Sequence, residues 1–166
     1  MRTVAAIDVA APPRAVWRVI ADPQSYLHVM VGITRWEVCG DQRVGVGARY
    51  KVLFRVRSAD IGGLIEVVEW DEPTELAWTS VTGLDQRGRW RLREHRTPSH
   101  SPRTHVELRL SYGVAGSGIA GWLAEHLAAP TVAGQLRASL RELKRRVEHE
   151  QVRATAAARR EARMRS

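Results

Sequence analysis

From Ala48 to Ser58 the chain alternates strictly, with Tyr50, Val52, Phe54 and Val56 at one parity and Arg49, Lys51, Arg55 and Arg57 at the other. A period of two places successive side chains on opposite faces of a strand, so this stretch predicts a strand with one dry and one basic face. The same rhythm returns twice. Trp90 and Leu92 alternate with Arg89, Arg91 and Arg93, and Val106, Leu108, Leu110 and Tyr112 alternate with Glu107, Arg109 and Ser111. Shorter apolar runs rich in β-branched residues predict strands at Thr3 to Val9, Ile33 to Cys39, Leu64 to Trp70 and Leu76 to Thr82. Glycine, proline and acidic residues punctuate them. Turns are expected at Gly40-Asp41-Gln42, Asp60 to Gly63, Asp71 to Thr74 and Gly83 to Gly88, with a polar loop from Thr97 to Pro102.

Helical periodicity appears in three places. Pro13 suits a first helical turn, Val16, Trp17, Val19 and Ile20 follow at helical spacing, and Asp22-Pro23 stops the run. A short second helix through Tyr26, Leu27 and Met30 ends at Gly32. The longest pattern runs from Ser117 to Glu150. Ile119, Trp122, Leu123, His126 and Leu127 precede Pro130, and Val132, Leu136, Leu140, Leu143 and Val147 recur three or four apart with charged residues between. Pro130 removes an amide donor and crowds the preceding turn, which predicts a kink or a short break.

The order is thus one strand, two short helices, about six antiparallel strands and a long helix. The dry face of an antiparallel sheet needs a cover, and this chain has one amphipathic helix long enough to supply it. The fold expected is α+β, a curved antiparallel sheet of about seven strands wrapped around the C-terminal helix. One domain over residues 3–150 follows, since neither an internal repeat nor a linker interrupts it.

Composition adds the end of the chain. The 166 residues carry a net charge of +8, and all but two of the 26 basic residues are arginine. Half of that excess lies in residues 151–166, where Arg153, Arg159, Arg160, Arg163 and Arg165 face only Glu161. This Arg/Ala-rich tail is expected to be disordered or a frayed helix, with weak contact to anionic membrane or nucleic acid as its functional alternative. The single Cys39 cannot form an internal disulfide and points to a cytoplasmic setting. Neither a signal sequence nor a membrane-spanning run is expected.

Several segments together resemble one family. Ile7-Asp8-Val9 followed by APPRAVWRVIADPQSY, then VGVGARY, EWDEPTELAW and LRASLRELKRRVE, are similar to the START-like superfamily of polyketide cyclases, lipid-transfer domains and birch-pollen-type allergens. The chain departs from it at Arg103-Thr104, where the family usually has Gly-Thr before its last strand. The resemblance implies a helix-grip fold with an apolar cavity between sheet and long helix. It also implies carriage or sensing of a lipid, fatty acid or polyketide. A cyclase or dehydratase is the alternative, and the toxin of a toxin-antitoxin pair a remote one.

The inner parity and the helix stripe supply the candidate ligand contacts. They are Trp17, Trp36, Tyr50, Val52, Phe54, Val67, Trp78, Trp90, Leu108, Leu110, Tyr112, Trp122, Leu123 and Leu136. Aromatic residues at alternating spacing are also what an ordinary packed core contains. Candidates for catalysis are fewer. Tyr50, Ser80, Glu94 and Tyr112 fall on the inner parity, and Glu66 or Glu69 joins them if a bulge at Gly62-Gly63 shifts the register. No metal or cofactor is expected. His95, His100 and His105 match no zinc spacing, and the glycines at 113, 116, 118 and 121 lack a nucleotide-binding signature. Either a monomer or a homodimer fits the sequence.

Overall fold

The computed structural model describes residues 1–96, 101–113 and 119–165, and the backbone alone for Arg96 and residues 119–128. The elements are β1 (Arg2–Val9), α1 (Pro13–Ile20), a single 3-10 turn (Pro23–Ser25), α2 (Tyr26–Val29), β2 (Ile33–Cys39), β3 (Arg49–Val56) and β4 (Ala59–Asp71). They continue with β5 (Glu75–Gly83), β6 (Asp85–Arg96), β7 (Pro102–Gly113) and α3 (Ile119–Arg165). The strands form one antiparallel sheet in the order β1-β7-β6-β5-β4-β3-β2. β1 therefore closes against β7 at one edge, and β2 forms the other. The sheet curls into a half-barrel around α3, as the helix-grip expectation requires.

The stripe on α3 behaves as its spacing predicts. Val132, Leu136, Leu140, Leu143 and Val147 are all buried, in one core with Val16, Trp17 and Ile20 of α1 and the inner residues of the sheet. Polar ties fix the helix at both ends of its packed length. Toward β1, the Glu148 carboxylate accepts from the Ala10 amide at 2.8 Å and the Lys144 ammonium donates to the Asp8 carbonyl at 2.8 Å. Toward β3, Gln135 donates through Nε2 to the Arg55 carbonyl at 2.6 Å. There too the Ser139 hydroxyl accepts from the Val31 amide at 2.8 Å. Helix and sheet are thereby held at two points more than a turn apart, and the space between them is what remains to be filled.

Three expectations about the chain path change. The turn expected at Asp60 to Gly63 is strand: β3 and β4 are joined instead at Arg57-Ser58, where Arg57 takes a left-handed φ of 55°. The turn expected over Gly83 to Gly88 shrinks to Leu84, and β6 begins at Asp85. In both places the glycines serve close packing within the sheet. A methyl group on Gly63 would run into the Thr82 carbonyl, and one on Gly88 into the Trp78 indole. The break considered at Pro130 does not occur: α3 runs as helix straight through it. The lost amide bond costs one interaction in a helix anchored on either side of its packed stripe.

α3 continues to Arg165, and every side chain from Val152 to Arg165 is exposed. Among the described residues, no helix is long and apolar enough to cross a membrane. Since the last buried residue of the stripe is Val147, deleting 151–166 is expected to leave thermal stability nearly unchanged. A melting temperature lowered by more than about 2–4 °C, which is ~1 kcal/mol for a domain of this size, would show that the tail packs.

Candidate functional site

Among the described residues, two spaces lie inside the grip. The larger is a cavity of about 50 Å³ between the inner face of the sheet and the middle of α3. Its sheet wall is Phe54, Val56, Ile61, Gln86, Leu110 and Tyr112, its helix wall Val132, Gln135, Leu136 and Ser139, and Met30 and the exposed Val31 stand at its rim. One water needs ~10–15 Å³ of such space, so the cavity has room for a few water-sized groups. The smaller, of about 10 Å³, lies under α1 and α2 among Tyr26, Trp36, Tyr50, Val67 and Trp78 and holds at most one water.

The candidate ligand contacts divide between these places. Phe54, Leu110, Tyr112 and Leu136 line the larger cavity. Trp36, Tyr50, Val67 and Trp78 border the smaller one and fill it largely themselves: Trp36 stacks between Tyr26 at 4.1 Å and Tyr50 at 4.9 Å. Trp17 packs edge-on against Trp70 at 5.2 Å. Val52, Trp90 and Leu108 are fully buried in the packed core and touch neither space. The side chains of Trp122 and Leu123 lie outside the described residues.

The carboxylates expected on the inner face are not there. The register against β5 shifts twice, between Leu64 and Ile65 just after the glycines and again between Val67 and Glu69. The second shift decides where Glu69 points. It leaves Val68 exposed, turns Trp70 inward and sends Glu69 to the outer face, where Arg89 pairs with it at 2.6 Å. Glu66 is outside as well, against Arg49 at 2.6 Å. Glu94 follows the inner parity of β6 but sits near its end, opposite Thr104, and is exposed. Ser80 keeps its inward place, with its hydroxyl accepting from the Gln86 amide at 3.2 Å.

Tyr26 and Tyr50 are donors, not bases. Burial pushes the Tyr26 phenol well above its usual range, and its hydroxyl donates to the Ile20 carbonyl at 2.7 Å. Burial also raises Tyr50, whose hydroxyl donates to the Arg43 carbonyl at 2.5 Å. Both stay protonated near neutral pH. Among the described residues, no group of three metal-ligating side chains gathers anywhere.

Of the lining residues absent from the candidate contacts, Gln86 matters most chemically. Gln86 is 2 % exposed, faces the cavity and stands directly opposite Tyr112 across β6 and β7. Its amide nitrogen Nε2 has no hydrogen-bond partner among the described residues. Counting back from Trp90 two residues at a time, through Gly88, reaches it, so the alternation held the signal and the glycine at 88 hid it.

This architecture has counterparts among known proteins. Residues 1–148 match the sequence profile of the family described as polyketide cyclase / dehydrase and lipid transport. The chain belongs to that family. Among solved structures, TTHA0849 from Thermus thermophilus superposes with a TM-score of 0.74 at 22% identity, covering 89% of this chain and 97% of that one. The ZhuI aromatase/cyclase from Streptomyces sp. R1128 gives 0.72 at 19% identity, over 89% and 93%. A START superfamily protein from Mycobacterium smegmatis gives 0.62 at 15%, over 89% and 97%. At these identities the likeness is one of fold. No curated protein matches the chain in sequence. Within the polyketide cyclase and lipid transport family, the larger cavity occupies the space between sheet and long helix that the resemblance assigned to a ligand.

Proposed function

We propose that this member of the family binds an apolar small molecule, for carriage or sensing, in the cavity between the sheet and α3. The observation that carries the reading is an unfilled, open space in an otherwise packed interior. Val52, Trp90 and Leu108 are fully buried, while Phe54, Ile61 and Leu110 of the sheet and Val132 and Leu136 of the helix line the cavity. An apolar void forfeits the dispersion contacts of its lining, so an apolar guest recovers them on binding. Catalysis of a cyclase type asks for a base near neutrality beside an oxyanion stabiliser. The described lining offers two carboxamides, a phenol and a hydroxyl, and this favours binding over reaction.

Thermal shift tests the reading directly. A guest that binds only the folded state stabilises it by about 2.7 kcal/mol at a hundredfold excess over Kd. At roughly 2–4 °C per kcal/mol, the melting temperature should rise by about 5–11 °C with single-ring aromatic compounds. Leu136→Phe, which fills the space from the helix side, should abolish the shift without lowering the melting temperature of the free protein. Val52→Trp, placed in the packed region, should instead cost about 1–3 kcal/mol. If no member of a broad apolar panel moves the wild-type transition, the binding reading is lost.

A further inference from the structure

Gln86 narrows the chemical class of the ligand. The walls of the cavity are almost entirely hydrocarbon, and into them β6 presents one carboxamide that is 2 % exposed and whose Nε2 has no partner among the described residues. A buried donor left unsatisfied costs free energy that an apolar residue of the same shape would not. Nothing in the strand demands a polar residue here. The neighbouring inner positions of β6, Trp90 and Leu92, are apolar and buried.

Across the sheet, Gln86 pairs with Tyr112, so the carboxamide and the phenol stand side by side on one wall. No lysine, arginine or histidine joins them in the described lining. An ionised carboxylate or phosphate would therefore enter without a countercharge, at a desolvation cost that two neutral donors do not offset. A pure hydrocarbon would leave the amide unsatisfied. The guest that meets both conditions is uncharged and apolar, with a single hydrogen-bond acceptor at its buried end.

We infer that Gln86 is a polar anchor selecting uncharged, carbonyl-bearing apolar ligands over both hydrocarbons and ionised acids. This inference rests on the binding reading above and narrows it. Ionised fatty acids, included in the broader expectation, are disfavoured as guests with their head group inside.

Three ring-sized probes of nearly equal shape test it: acetophenone, ethylbenzene and benzoate, titrated by calorimetry into the full chain and into Gln86→Leu. Acetophenone should weaken about tenfold in Gln86→Leu, the loss expected for one hydrogen bond. Ethylbenzene should bind the variant as well as or better than the wild type, and benzoate should bind neither above background. Gln86→Met, similar in length and free of polar donors, serves if the leucine variant does not fold. Equal changes for acetophenone and ethylbenzene, or tighter binding of benzoate than of acetophenone by the wild type, overturn the anchor while leaving the cavity standing. Binding of none of the probes to the wild type removes both.

Discussion

Replacing Trp90 by alanine is expected to destabilise the fold by about 3–5 kcal/mol and lower its melting temperature by roughly 6–20 °C. Trp90 is fully buried on β6, near the middle of the sheet, and pairs with Leu76 of β5 on one side and Leu108 of β7 on the other. Both partners are themselves buried, so the space vacated by an indole cannot be reclaimed by a shift of one neighbour. Arg93→Ala, three residues along the same strand and exposed, should stay within about 0.5 kcal/mol. Urea titration of both variants measures the contrast. Similar losses at the two sites would mean that the inner and outer faces of β6 have been exchanged.

The second large effect concerns backbone rather than side chain. Gly83 closes β5 with a left-handed φ of 85°, and a methyl group there would meet the Gly62 carbonyl oxygen and the Gly63 Cα of β4. An ordinary residue pays ~1–2 kcal/mol for that conformation, and forced overpacking adds ~1–3 kcal/mol. Gly83→Ala should therefore cost about 2–5 kcal/mol, where an exposed turn glycine would lose far less. Gly40→Ala is the comparison: its φ is also left-handed at 91°, but nothing lies near its missing Cβ. If the two alanine variants melt together, the close approach of β4 and β5 contributes nothing.

These two sites show which parts of the architecture were legible in the sequence. Alternation in 49–56 and 106–112 revealed face and register directly, because each residue there pairs without interruption. The α3 stripe was equally plain, since five apolar residues at helical spacing admit one buried face. Glycines misled the reading. At 62, 63 and 88 they stand inside strands to let backbone or an indole approach, yet in sequence they look like the glycines of turns. That error removed Gln86 from view and moved the expected bulge away from Val67 and Glu69, where it reverses which side chain points inward. A bulge is set by the pairing of two strands, and neither strand alone records it. The cavity was expected from the family resemblance alone and was not legible in the pattern. Periodicity states which face is dry, and whether two dry faces touch depends on how far apart their polar ties hold them.

The pairing of β1 sets a schedule for synthesis. Arg2 pairs with Ser111 and Val9 with Thr104, so the first strand of the sheet to be made has as its partner the last. At ~5–20 residues per second, about 5–20 s pass before that partner is made, and α3, which covers both, comes later still. During this interval Ile7 and Val9 wait without their cover, whereas the strands from β2 to β6 each find a partner in a sequence neighbour. Closure of the half-barrel joins the two ends of the sheet sequence, and the cavity, walled in part by β7 and α3, is complete only with it.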